Sequence, residues 1–119
     1  MISIKRIYDP PAPDDGFRVL VDRLWPRGVS KARADIDLWL KEVAPSTELR
    51  RWFHEDPSIE GEVFDEFRAR YERELDTNPA LTELRALTHE HPRLTLLVGA
   101  RDPELNHAKI LVDYLSTHP

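Results

Sequence analysis

The apolar run Leu94-Thr95-Leu96-Leu97-Val98 narrows the fold more than any other feature of the chain. It follows the break at His91-Pro92 and stops at Gly99-Ala100. A short apolar run between turn signals reads as a strand buried on both faces, the situation of a strand inside a parallel sheet with covered faces. Two further strands are expected near the N-terminus. Ile2, Ile4 and Ile7 lie around Lys5 and Arg6, and Phe17 to Val21 follows the turn-forming stretch Pro10-Pro11-Ala12-Pro13-Asp14-Asp15-Gly16.

The rest of the chain carries helical spacing. Ile36, Trp39, Leu40 and Val43 fall at i, i+3, i+4 and i+7 and predict a helix ended by Ala44-Pro45. Ser46 can cap the next, whose apolar face is Leu49, Trp52 and Phe53. Phe64, Phe67, Tyr71 and Leu75 make the stripe of a third helix, closing near Asn78-Pro79, and Leu81, Leu84 and Leu87 mark a fourth. Asp102 is read as a helix N-cap with Pro103 in first helical position, and Leu105, Ala108, Leu111, Val112 and Leu115 carry a last helix. The expectation is a single α/β domain over residues 1–119, a small mostly parallel sheet covered by about five helices. A chain of 119 residues divided in two would leave domains too small to be stable without disulfides or metals. The connection between the first two strands is short for a parallel crossover, so the direction of the first strand stays open.

Composition removes several classes of function. There is no cysteine, which excludes disulfide scaffolds, thiolate metal sites and thiol nucleophiles. No apolar run approaches a membrane span, and the first residues lack the apolar core of a signal peptide, so a cytoplasmic protein is expected. The net charge of −5 is uneven. Residues 1–33 hold seven basic and four acidic side chains, leaving ten basic and eighteen acidic in the remainder. Such a chain is not built to coat nucleic acid with its whole surface, yet its basic head allows a local anion site.

Two polar clusters follow the two most apolar strands: Asp22-Arg23-Leu24-Trp25-Pro26-Arg27-Gly28, and Arg101-Asp102 with Asn106-His107 a turn later. Parallel strands would bring both to the C-terminal edge of the sheet, where α/β folds place ligands. In that case Asp22, His107 and Asp102 are the candidate proton-transfer groups. Arg23, Trp25, Arg27, Arg101 and Asn106 are the candidate binding groups, since arginine forks onto carboxylates and phosphates. A small anionic molecule, phosphorylated or nucleotide-like, is the natural ligand, and nucleic acid is a further candidate. Neither cofactor nor metal is implied, and no membrane partner. His89-Glu90-His91, His54-Glu55-Asp56 and the acidic run Glu60 to Glu66 read as helix-end or solvated charge rather than metal sites. Each motif residue also has a plainer reading: Asp102 as a cap, Asp22 and Arg23 as members of an ion network, Trp25 as packing, His107 as a hydrogen bond to the sheet edge.

At these residues the chain resembles a known family. Val21-Asp22-Arg23-Leu24-Trp25-Pro26-Arg27-Gly28 is similar to the signature of the domain of unknown function 488 (DUF488), in its short YeaO-like branch. Trp39-Leu40-Lys41-Glu42-Val43-Ala44-Pro45-Ser46 through Arg50, then Phe67, Tyr71 and Glu74-Leu75, then Leu96-Leu97 through Arg101-Asp102 and Asn106-His107-Ala108 resemble its later blocks. The resemblance implies an α/β fold and a bacterial or archaeal cytoplasmic protein; it does not imply a known activity. By position it singles out Asp22, Arg23, Trp25, Pro26, Arg27, Lys41, Ser46, Arg101, Asp102, Asn106 and His107. The chain departs from the pattern at His54-Glu55-Asp56-Pro57 and at Val98, where an aromatic is common. Three functional readings follow: an enzyme acting on a phosphorylated or nucleotide-like small molecule, a non-catalytic module binding an anion or nucleic acid, and a structural or partner-binding domain with an internal ion network.

Overall fold

A computed structural model describes residues 1–53, 60–100 and 106–118. Four strands form one sheet in the order β1-β4-β2-β3, with every neighbouring pair parallel. They are β1 (Ile2–Arg6), β2 (Phe17–Leu20), β3 (Leu38–Trp39) and β4 (Leu94–Val98). The helices are α1 (Lys31–Ala34), α2 (Thr47–Phe53), α3 (Glu60–Asp76), α4 (Pro79–Glu90) and α5 (His107–Thr117). Thus α/β describes the chain, and the sheet is wholly parallel among the described residues. The apolar run is the central strand, buried at every residue between β1 and β2.

The direction of the first strand is settled by an insertion. β1 runs parallel to β4, which lies between it and β2. The connection over residues 7–16 therefore passes one face of the sheet without a full helix, using only a 3-10 turn at Pro13–Asp15. Polar side chains pin it there. Asp15 accepts from Lys5 Nζ at 3.1 Å and from Arg18 Nη1, and its carbonyl accepts from Thr95 Oγ1 at 2.7 Å. Arg18 is itself only 4% exposed, with Nε on the Asp35 carbonyl and Nη2 on the Ala34 carbonyl, both at 2.8 Å. The turn ends at Gly16, whose φ of +67° favours glycine and whose absent Cβ would lie 2.2 Å from the Arg93 carbonyl oxygen.

The opposite face carries the main core. Val19, Leu94, Leu96 and Val98 meet Leu49, the α3 stripe Phe64, Phe67, Tyr71 and Leu75, Leu84 of α4, and Ala108, Ile110 and Leu111 of α5. Helix starts follow their capping residues. Asn78 Oδ1 accepts from Ala80 N at 2.9 Å ahead of Pro79, and Asn106 Oδ1 accepts from Lys109 N at 3.2 Å. The last helix is capped by Asn106, while the cap expected at Asp102 lies outside the described residues.

One expectation is corrected. The helix expected from Ile36 to Val43 is the short strand β3 followed by a 3-10 turn at Lys41–Val43. Its apolar residues serve both faces of the sheet. Ile36 and Trp39 pack with Ile7, Leu20, Ala34 and Leu97, whereas Leu40 and Val43 enter the main core. A helical stripe faces one way only, so the spacing is coincidental. The β2 backbone captures the segment instead: Asp37 N donates to the Arg18 carbonyl at 2.8 Å, and Leu40 N to the Leu20 carbonyl at 2.9 Å.

Candidate functional site

Parallel pairing brings the exits of β2 and β4 side by side. Asp22, at the β2 exit, turns one carboxylate oxygen onto the Gly99 N–H at the β4 exit, with Oδ2 to N at 2.7 Å. A Cβ at Gly99 would stand 3.0 Å from that oxygen, so the approach depends on glycine. His107, the first residue of α5, points back at the same place. Its Nε2 is 2.9 Å from the Val21 carbonyl and 3.5 Å from Asp22 Oδ1. A carbonyl only accepts, so this contact puts the imidazole proton on Nε2 and the lone pair on Nδ1. Burial pushes the His107 pKa below its ordinary value, helped by Arg50, against the opposing pull of Asp22 and the Val21 carbonyl. The ring is therefore neutral at neutral pH, with a carboxylate close enough to stabilise its charged form.

Arg23 lies beside this pair, but its guanidinium turns away. Nε donates to the Pro45 carbonyl and Nη2 to the Ala44 carbonyl, both at 3.0 Å, with Glu42 at 3.9 Å from Nη1. Adjacent groups of this segment are held from α3. Tyr71 donates its hydroxyl to the Val43 carbonyl at 2.6 Å. Glu74 accepts from Ser46 N at 2.9 Å and from Ser46 Oγ at 2.6 Å. Ser46 Oγ in turn accepts from Leu49 N at 3.2 Å, the expected cap of α2. Tyr71 is fully buried, and burial with the nearby Glu74 carboxylate drives its pKa well up, so it serves as a neutral donor. Its ring meets His107 edge-on at 6.2 Å between centroids.

The remaining candidates divide. Trp25 donates Nε1 to the Val29 carbonyl at 2.7 Å and packs edge-on against Trp39. Trp39 donates Nε1 to the Asp22 carbonyl at 2.7 Å. Arg27 is exposed, and its carbonyl accepts from Tyr8 Oη at 3.2 Å. Asn106 is 3% exposed and caps α5. Arg101 and Asp102 lie outside the described residues. The structure thus joins Asp22 with His107, places Arg23 beside them facing away, and sets Trp25 and Arg27 on the neighbouring loop. Sequence reasoning did not assign Tyr71, Glu74 or Arg50 to the site. Tyr71 reads as one more member of an apolar stripe, and Glu74 enters only through the resemblance to the family's later blocks. Among the described residues, no group of three or more His, Asp or Glu could hold a metal ion, and no helix is long and apolar enough to cross a membrane.

The chain matches, over residues 1–118, the family DUF488-N3i, described as the inactive DUF488-N3 subclade. It belongs to the DUF488 family. The uncharacterized protein YeaO of Escherichia coli is 45% identical to it over 116 residues, covering 96% of each chain. An uncharacterized protein of Mycobacterium tuberculosis and one of Mycobacterium bovis are each 44% identical over 115 residues, 97% of this chain and 93% of theirs. No solved structure matches. Of the described DUF488 motif residues, Asp22 and His107 therefore meet, in this member, at the C-terminal edge of a parallel sheet. Val98, at the position where the family pattern favours an aromatic, is fully buried in the main core.

Proposed function

We propose that this DUF488 protein is a non-catalytic module that binds an anionic ligand at the C-terminal edge of its sheet. The observation that carries the reading is where the polar atoms point. The groups suited to chemistry are committed to the chain's own backbone: Asp22 to Gly99, His107 to Val21, and Arg23 to Ala44 and Pro45. An internal carboxylate thus occupies the Gly99 N–H that a ligand anion would otherwise take. The Arg27 and Arg50 side chains, by contrast, are exposed and form no ion pair among the described residues. The description of the matched subclade as inactive supports the same reading. The cysteine-free composition fits a cytoplasmic setting.

The enzyme reading retains one specific support, the neutral imidazole of His107 beside the Asp22 carboxylate. One experiment separates the two. Wild type, Arg27→Ala and Arg50→Ala are melted with phosphate, mononucleotides, sugar phosphates, small carboxylates and short single-stranded DNA. A ligand of the folded state raises its stability by mass action. The expected result is a salt-sensitive rise in Tm that either variant diminishes, with the ligand recovered unchanged after incubation. Turnover that Asp22→Asn abolishes in a folded protein would overturn the proposal in favour of the enzyme. No shift with any anion would overturn it in favour of a structural domain.

A further inference from the structure

The C-terminal edge carries a continuous strip in which cations and aromatic rings interleave. At the β1 end, the Arg6 guanidinium lies 5.3 Å from the Tyr8 ring centroid, with Nε held by the Ala100 carbonyl at 2.9 Å. Tyr8 is 42% exposed and reaches the Arg27 carbonyl with its hydroxyl at 3.2 Å. Two residues before Arg27, Trp25 meets Trp39 edge-on at 5.3 Å. At the β3 end, Lys41 Nζ stands 5.3 Å from the Trp39 ring centroid. These contacts, joined through the short chain segment from Trp25 to Arg27, run past the ends of the strands from β1 to β3.

We infer that this strip binds single-stranded nucleic acid, a narrowing of the ligand class that rests on the anion-binding reading above. The first argument is length. Three strand spacings of roughly 4.8 Å put the two ends about 14 Å apart. At about 3.4 Å per stacked nucleotide that is about four nucleotides, within the range of single-strand binding sites. A lone phosphate could reach only one end. The second argument is composition. Sequence-tolerant single-strand binding needs cations for the backbone and aromatic faces for the bases, and the strip supplies Arg6, Arg27 and Lys41 beside Tyr8. The third is contrast. Residues 34–119 hold ten basic and eighteen acidic side chains, so the acidic excess elsewhere repels a polyanion and favours the part of the surface where Arg6 and Arg27 of the basic head are joined by Lys41. Trp25 and Trp39 serve as the wall of the strip, because their indole N–H groups are spent on the Val29 and Asp22 carbonyls.

The test is fluorescence anisotropy of a labelled oligothymidylate of about ten nucleotides, long enough to span the strip. Wild type, Tyr8→Ala, Tyr8→Phe and Arg27→Ala are compared across a salt series. The expected result is salt-dependent binding that Tyr8→Ala weakens at least about fivefold, the low end for losing one stacked base. Tyr8→Phe keeps the ring and retains binding within about twofold. Arg27→Ala flattens the log–log salt slope by about 0.7, the contribution of one single-strand phosphate. Oligonucleotide binding indifferent to Tyr8→Ala would place the nucleic acid elsewhere and overturn the inference. So would an oligonucleotide that binds no tighter than a mononucleotide, while leaving the anion-binding proposal standing. Binding of neither would overturn both.

Discussion

The face of the sheet that carries no long helix is held by a charge, and removing that charge should be costly. Asp15 is 8% exposed and Arg18 4%, and the carboxylate accepts from Arg18 Nη1, from Lys5 Nζ at 3.1 Å and from Ala12 N at 2.9 Å. Burial alone would raise the Asp15 pKa. The Ala12 N–H, Lys5 and Arg18 together outweigh it and hold the pKa below its ordinary 3.8. Asp15→Asn keeps the shape and removes the charge, leaving the Arg18 guanidinium buried against a neutral amide. Breaking one side of a buried pair costs about 3–5 kcal/mol. At about 2.1 cal/mol/K per residue, the unfolding entropy of a chain this size is about 0.25 kcal/mol/K, so Tm should fall by about 12–20 °C. Calorimetric or circular-dichroism melts of wild type and Asp15→Asn near neutral pH read this directly. The gap should persist at every pH above the ordinary carboxyl value, because a depressed folded pKa contributes stability there. It should close as the pH falls through the folded pKa and Asp15 itself becomes neutral. The Asp15→Leu/Arg18→Met double variant should lose less than the sum of the two single losses, since neither buried partner is then left facing an uncompensated charge of the other. A Tm loss under about 4 °C, roughly 1 kcal/mol by the same conversion, would refute the claim that this pair holds the crossover in place.

Three further outcomes are expected. His107 has a folded pKa below its ordinary 6.5, so the unfolded chain binds a proton that the native ring refuses. Stability should therefore decline as the pH falls through 6.5 toward the folded pKa, and His107→Gln should flatten the wild-type Tm–pH curve in that window. Gly16→Ala should destabilise by at least about 2 kcal/mol in urea melts, from the positive φ and the clash with the Arg93 carbonyl that also accepts from Phe17 N. Glu74→Gln should cost about 1–3 kcal/mol by the same measurement, because its amide presents a donor to Ser46 where the carboxylate accepted twice.

Much of the architecture is legible in the residue pattern, and the failures share a cause. The buried strand Leu94–Val98, the α3 stripe and its close near Asn78-Pro79 are local signals, and each agrees with its surroundings. The segment Ile36 to Val43 misleads because its side chains divide between two faces, a partition only the assembled sheet defines. The insertion of β4 between β1 and β2 is likewise a long-range fact, carried by Asp15, Arg18 and Thr95, which sequence distance does not connect. The meeting of Asp22 and His107 could be anticipated, since parallel strands must share an exit edge. The direction in which Arg23 turns could not, since its partners are backbone carbonyls of a segment some twenty residues away.

The exit edge of a parallel sheet leaves loop N–H and C=O groups without ladder partners, and buried backbone groups must find others. In this chain Asp22 serves Gly99, His107 serves Val21, Trp39 serves Asp22, Tyr71 serves Val43, and Arg23 serves Ala44 and Pro45. Stranding any one of these groups costs about 1–3 kcal/mol. Aspartate, arginine and histidine at a sheet edge are thus required by the fold before any substrate is considered. A chain can hold them in place without using them for chemistry, which reconciles a motif that looks catalytic with a subclade described as inactive. What the fold does not require is the placement of the half-buried Arg6 and the exposed Tyr8, Arg27 and Lys41 along that edge, and these are the groups through which the proposed ligand would be recognised.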